Sequence, residues 1–169
     1  DGRVFEETKS IKILFPESQN FPGVVRESKM IKNITANKIE TIVLGNNTDT
    51  TLHILTVANV NNTSINVTTF TENITPIILT PVKFVNIEVS PELNANLRYA
   101  IINISYTSDE VRGLDENSLR LYKWNGTNWN MLTCPTFGCV DTTNNYVYAN
   151  VTGFSLFGVF GSPLVPRVT

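Results

Sequence analysis

The chain has 169 residues, with 15 acidic and 13 basic side chains, one His and two Cys, and 42 of its residues are Asn or Thr, 21 of each. A net charge of −2 without a basic cluster gives no footprint for nucleic acid, whose phosphates demand grouped Lys and Arg, and one His with two Cys cannot complete a four-ligand His/Cys zinc site. At 41% hydrophobic residues the chain is rich enough to fold, burying roughly 70% of its unfolded surface at this length; no apolar run, Pro76–Val89 included, reaches the ~20 residues of a membrane-spanning helix.

Short β-branched and aromatic runs, punctuated by Asn, Gly, Pro and Asp, predict an all-β fold. In chain order the strands are Ile11–Phe15, Met30–Ile34, Ile39–Leu44, Leu52–Val60, Ile65–Phe70 and Ile77–Val89, the last broken at Pro81. They continue with Arg98–Tyr106, Leu119–Trp124, Trp129–Leu132, Tyr146–Val151 and Ser155–Phe160. One helical turn is expected over Ser108–Leu114, with Ser108 as cap, Asp109 and Glu110 in the first turn and Gly113 at its end. Strand number and spacing predict antiparallel, immunoglobulin-like sheets packed as a β-sandwich without long helices. No flexible linker divides the chain, so residues 1–169 form one sandwich unit. A division into an N-terminal β region (1–80), a second half (81–161) and a tail (162–169) is the alternative.

Alternation assigns faces. In Arg98–Tyr106 the apolar set is Ala100, Ile102, Ile104 and Tyr106, which turns Asn103 outward; in Ile65–Phe70, Ile65 and Val67 face in and Asn66 faces out. Asn125-Gly126 between Trp124 and Trp129 marks a tight hairpin with the two Trp packed side by side. The closing run Phe154, Leu156, Phe157, Val159 and Phe160 is too apolar to remain uncovered on either face.

Nine Asn-x-Ser/Thr sequons occur, at Asn33, Asn46, Asn61, Asn62, Asn66, Asn73, Asn103, Asn125 and Asn150, none with a central Pro. N-linked glycans on a folded extracellular surface account both for that number and for Asn and Thr on strands. Oxidising surroundings would also let Cys134 and Cys139 close a short disulfide ring, worth about 2 kcal/mol and sufficient to pin a loop. A redox or metal pair would need Cys-x-x-Cys spacing or a neighbouring His, and has neither. Asp1-Gly2-Arg3 is polar and charged, unlike a signal peptide, so a secreted chain would start there at a processed or engineered end. Leu164-Val165-Pro166-Arg167 resembles a thrombin cleavage sequence, which leaves a tag remnant and a native tail both open.

Catalytic patterns are sparse. His53 is the sole candidate base, with no Gly-x-Ser-x-Gly nucleophile turn. Asp109, Glu110, Asp115 and Glu116 could offer oxygens to calcium, but lack EF-hand spacing. The other acids are too dispersed to nominate a glycosidase pair. The expectation is therefore a protein that is not an enzyme and carries no cofactor beyond covalent glycans.

From about residue 82 the chain carries Phe84–Val89, Tyr99–Ile104, Leu119-Arg120-Leu121-Tyr122-Lys123-Trp124, a second Trp at 129, and Gly153-Phe154-Ser155-Leu156-Phe157. This series resembles the PGF-pre-PGF module of archaeal cell-surface, S-layer-associated proteins, over roughly half of the chain. Thr152-Gly153-Phe154 stands where that family shows Pro-Gly-Phe, and its C-terminal anchor sequence is missing. The resemblance implies a β-rich extracellular module and no catalytic residue. Together these readings predict a structural subunit of a glycosylated archaeal surface assembly: a filament, pilus-like fibre or surface layer. Its partners are copies of itself and other surface glycoproteins. Self-association would proceed by strand donation, with Arg3–Phe15 as the first donor and Ser162–Thr169 as the second. The alternative is an adhesin or glycan-binding module whose Trp124 and Trp129 stack on sugars.

Overall fold

The computed structural model describes residues 24–45, 47–71, 79–134 and 139–165, and these form two antiparallel sheets. Sheet A runs in the order β1 (Val25–Ile34), β4 (Val60–Phe70), β5 (Thr80–Val89), β11 (Leu156–Pro163), β7 (Leu114–Trp124) and β8 (Trp129–Met131). Sheet B runs β2 (Glu40–Leu44), β3 (Thr50–Thr56), β6 (Leu97–Ser105), β10 (Tyr146–Val151) and β9 (Val140–Asp141). The expected all-β sandwich is the architecture observed. In both sheets the strands that precede Pro81 lie side by side at one end and those from β5 onward at the other, joined by β4 pairing with β5 (Ile65↔Val89 to Phe70↔Phe84) and by β3 pairing with β6 (Thr50↔Ile104 to Thr56↔Leu97).

One apolar cluster fills the space between the sheets, with Leu52, Ile54, Ile102, Ile104, Val147 and Ala149 from sheet B meeting Ile65, Val67, Val85, Ile87, Phe157 and Val159 from sheet A. Strict alternation of buried and half-buried residues in β3 and β10 is the period of a sheet with one covered face. β11 departs from it: Leu156–Phe160 are all buried. Its Phe157 and Val159 enter the main core, whereas Leu156 and Phe160 join Phe70 and Phe84 in a second cluster on the opposite side of sheet A. The closing run is thus covered on both faces, as its composition requires.

Several boundaries differ from those expected. Leu52–Val60 divides into β3 and β4 at a turn near Val57-Ala58-Asn59, and β4 then runs on through Ile65–Phe70. The run is continuous in hydropathy because both flanks of the turn are buried, which conceals the break. Pro81 does not interrupt β5: it lies one residue inside the strand's start, opposite Phe160, where the β5–β11 register shifts and a missing N–H is tolerated. A six-residue helix, Pro91–Asn96, follows Ser90, with Pro at its first turn and Leu93 buried; it is too short to declare itself by periodicity. The turn after β6 forms as expected in place, but Thr107 caps it rather than Ser108: the Glu110 N–H donates to Thr107 Oγ1 while the Thr107 N–H donates to a Glu110 carboxylate oxygen. Gly113 ends it at φ 85°. Ile11–Phe15 lies outside the described residues.

Candidate functional site

Of the nine sequons, Asn46 and Asn73 lie outside the described residues. Asn33, Asn61, Asn62, Asn66 and Asn125 are exposed, and all five belong to strands or the hairpin of sheet A. Asn33 and Asn61 face each other across the β1–β4 ladder, and Asn62 beside them takes φ 52°, a left-handed conformation that Asn accepts more readily than most residues. Asn66 points outward, as its alternation requires, and accepts a hydrogen bond from Ser28 Oγ at 2.6 Å. At the β7–β8 turn, Asn125 Oδ1 accepts the N–H groups of Thr127 and Asn128 at 2.9 and 2.8 Å, while Gly126 supplies the positive φ. That Asx turn holds the exposed side chain by its carboxamide oxygen.

The two remaining sequons sit on sheet B and are half-buried. Asn103 projects from the outer face of central strand β6, as expected, with Nδ2 3.4 Å from His53 Nε2. Asn150 Oδ1 is buried without a hydrogen-bond partner, although its backbone N–H donates to Thr133 O. His53 is thereby placed on a sheet surface between Thr41 Oγ1, 2.9 Å from its Nδ1, and Asn103.

Cys134 and Cys139 lie at disulfide distance, Cα–Cα 5.2 Å. The ring they close holds the free edge of β10: Tyr148 N–H donates to Cys139 O and Asn150 N–H to Thr133 O, continuing the short β9 pairing. A bridge between residues five apart in sequence thus completes a sheet edge.

The four acids near the β6–β7 turn are drawn into separate bonds. Asp109 pairs with Arg112, Asp115 accepts the Asn117 N–H, and Glu116 accepts the Tyr106 hydroxyl at 3.3 Å. Burial, followed by the charge of Glu116, pushes the Tyr106 phenol up to about 12. Glu110 reaches inward to Lys83. Among the described residues no three His, Cys, Asp or Glu side chains gather as a metal site.

Lys83 is a group that strand-by-strand reading of the sequence does not single out. Its side chain points into the sandwich and is only 2% exposed, and its Nζ donates to Glu110 at 2.8 Å, Ser105 O at 2.9 Å and Asp49 at 3.4 Å. All three ammonium protons are used, which makes the burial of a cation tolerable. The visible signal is parity: Lys83 shares its face of the strand with Val85 and Ile87, whereas Asn86 and Glu88 lie on the other. Burial alone would raise the Glu110 carboxyl, but hydrogen bonds from Lys83 and Thr107 outweigh it and hold the group below its ordinary value. The contact ties β5 of sheet A to the turns at one end of sheet B.

Trp124 and Trp129 pack side by side across the hairpin, their ring centroids 5.4 Å apart and their planes tilted by 53°. Trp129 also packs edge-on against Phe160 at 5.0 Å and lies 5.7 Å from Phe84, so its ring serves the outer cluster.

The sheet edges carry devices against uncontrolled pairing. On β7, beyond its short pairing with β8, Arg120 Nη1 donates to the carbonyls of Asn117 and Leu119, and Asp115 accepts the Asn117 N–H. On β1, Glu27 and Lys29 share the inward face, and Lys29 reaches Val43 O on β2. The second expected donor segment is partly used within its own subunit: Ser162 and Pro163 pair with Asp115 and Leu114, and Leu164 N–H donates to Gly113 O. Residues 166–169, like Arg3–Phe15, lie outside the described residues. No family model, no curated protein and no solved structure matches this chain.

Proposed function

We propose that this protein is a non-enzymatic structural subunit of an extracellular, N-glycosylated surface assembly, archaeal in origin, that polymerises with copies of itself. The observation that carries the reading is the placement of five exposed sequons along sheet A of a sandwich. The chemistry-bearing groups support it: Lys83, Glu110, Glu116, His53 and the cysteines are engaged in contacts that hold the scaffold. The resemblance of the second half to archaeal surface modules points the same way.

Strand donation remains the preferred mode of assembly, with Arg3–Phe15 of one copy adding to a sheet of the next. β1, with ten residues, is the longer of the two edge strands of sheet A, against three in β8. Ile11, Ile13 and Phe15 would present one apolar face in such a strand. Material isolated from its source cells should run as polymer on native sizing, lose mass on deglycosylation, and show filaments or sheets by electron microscopy. Ile13→Asp should leave the monomer folded and abolish the polymer. A bare monomer at every concentration would overturn the proposal. Retention on polysaccharide, lost in Trp124→Ala, would favour the glycan-binding reading instead.

A further inference from the structure

We propose that the N-linked oligosaccharide at Asn103 lies flat on the outer face of sheet B, and that this face is built to receive it. The inference rests on the extracellular glycoprotein reading above.

The outward positions of four strands supply the first argument. These are Thr41 and Val43 on β2, alternate residues from 51 to 55 on β3, from 99 to 105 on β6, and from 146 to 150 on β10. None is Asp, Glu, Lys or Arg; the charged residue of this face is Asp141, at its rim on the short fifth strand β9, opposite Tyr146. Exposed protein surface is normally about a quarter to a third charged, and loss of charge marks a surface that spends its time covered. The sequon-bearing region of sheet A is different: Asn66 has Ser28 and Glu88 as cross-strand partners, and Arg26 lies opposite Thr68 in the same ladder.

The second argument identifies the cover. Asn103 occupies the middle of the face on central strand β6, with Thr51 on one side and Tyr148 on the other in the same cross-strand row. An attachment point at that position leaves no room for another protein's flat sheet, but it delivers a sugar directly onto its neighbours. One strand spacing, about 4.8 Å, separates Asn103 from the strand of Tyr148, so the first sugar ring reaches it. Tyr146 and Tyr148 hold their rings 5.7 Å apart at an interplanar angle of 54°. Such rings offer apolar faces to the C–H side of a pyranose, while the Tyr146 hydroxyl is held by the Asp141 carboxylate.

The third argument concerns the linkage. Transfer from a lipid-phosphate-linked oligosaccharide forms the bond from Asn103 Nδ2 to the anomeric carbon. The carbon–oxygen bond to phosphate breaks with its electron pair on oxygen, and one amide proton is lost to the phosphate. One N–H remains. His53 Nδ1, 2.9 Å from Thr41 Oγ1, can donate its proton there, which leaves Nε2, 3.4 Å from Asn103 Nδ2, as the acceptor for that N–H. Thr41 and His53 would then hold the linkage amide in one orientation across the sheet.

The test is glycopeptide mapping of protein from its source cells, combined with iodination of its tyrosines. Asn103 should be occupied, and Tyr146 and Tyr148 should be protected. Asn103→Gln and Ser105→Ala should each raise their labelling several-fold with an unchanged far-UV spectrum, while Asn125→Gln leaves it unchanged. Sugar on Asn33, Asn66 and Asn125 with a bare Asn103 would overturn this inference alone and free the face for a second copy. Bare asparagines throughout would overturn the glycoprotein reading with it.

Discussion

Replacing Lys83 with alanine would remove a residue that is 1% exposed and leave a hole where its four-carbon stem crosses the interior. Deleting a buried aliphatic side chain of that length costs about 2–5 kcal/mol. The carboxylates left behind add little, because the Asp49 and Glu110 side chains are 49% and 31% exposed and would rehydrate. A loss of about 3 kcal/mol is expected, which at roughly 2–4 °C per kcal/mol for a chain of this size lowers the melting temperature by about 6–12 °C. Lys83→Met keeps the stem and drops the charge. It should stay within about 1.5 kcal/mol of wild type, since the stem's volume is kept and the two partly exposed carboxylates can rehydrate. Scanning calorimetry of both variants decides the matter. If Met costs as much as Ala, the ion pairs rather than the packed stem carry the site, and the reasoning fails. Glu110→Gln adds a pH signature. The Glu110 carboxyl is held below its unfolded value of 4.5. Its stabilisation is therefore complete above that value and is lost as the pH falls through the folded value. The gap in melting temperature between wild type and Glu110→Gln should be steady near neutrality and should close in acid.

Gly158→Ala should destabilise by about 1–3 kcal/mol, because a Cβ there would lie 2.5 and 2.7 Å from ring atoms of Phe160 and 3.3 Å from Phe84; an unchanged melting temperature would show that the outer aromatic cluster is loosely packed. Paired Cys134→Ser and Cys139→Ser substitutions should cost about 2 kcal/mol and should speed hydrogen exchange at the Tyr148 and Asn150 amides, whose acceptors flank the ring; equal exchange rates would refute the edge-holding role. Asn33 and Asn61 are cross-strand partners, with Cβ atoms only about 4.5–5.5 Å apart, so a single molecule should carry a glycan at one of the two. Intact glycoprotein mass spectrometry that finds both sites filled together would contradict this.

Face assignment is legible in the amino-acid sequence, because the period of two is a local property of each strand. Alternation alone puts Ala100, Ile102 and Ile104 inside and turns Asn66 and Asn103 outward, and the Asn125-Gly126 hairpin and the Cys134–Cys139 ring follow from neighbouring residues. Strand order is not legible there, nor is whatever depends on residues far apart in the chain. Lys83 finds Asp49, Ser105 and Glu110 only after β5, β6 and the turns beside them have been brought to one end of the sandwich. The uncharged row of outward residues around Asn103 likewise exists only once β2, β3, β6 and β10 lie side by side. Local sequence determines which side of a strand meets water; which strands become neighbours is decided by the packing of the whole core, and the sites of this protein are made of those neighbours.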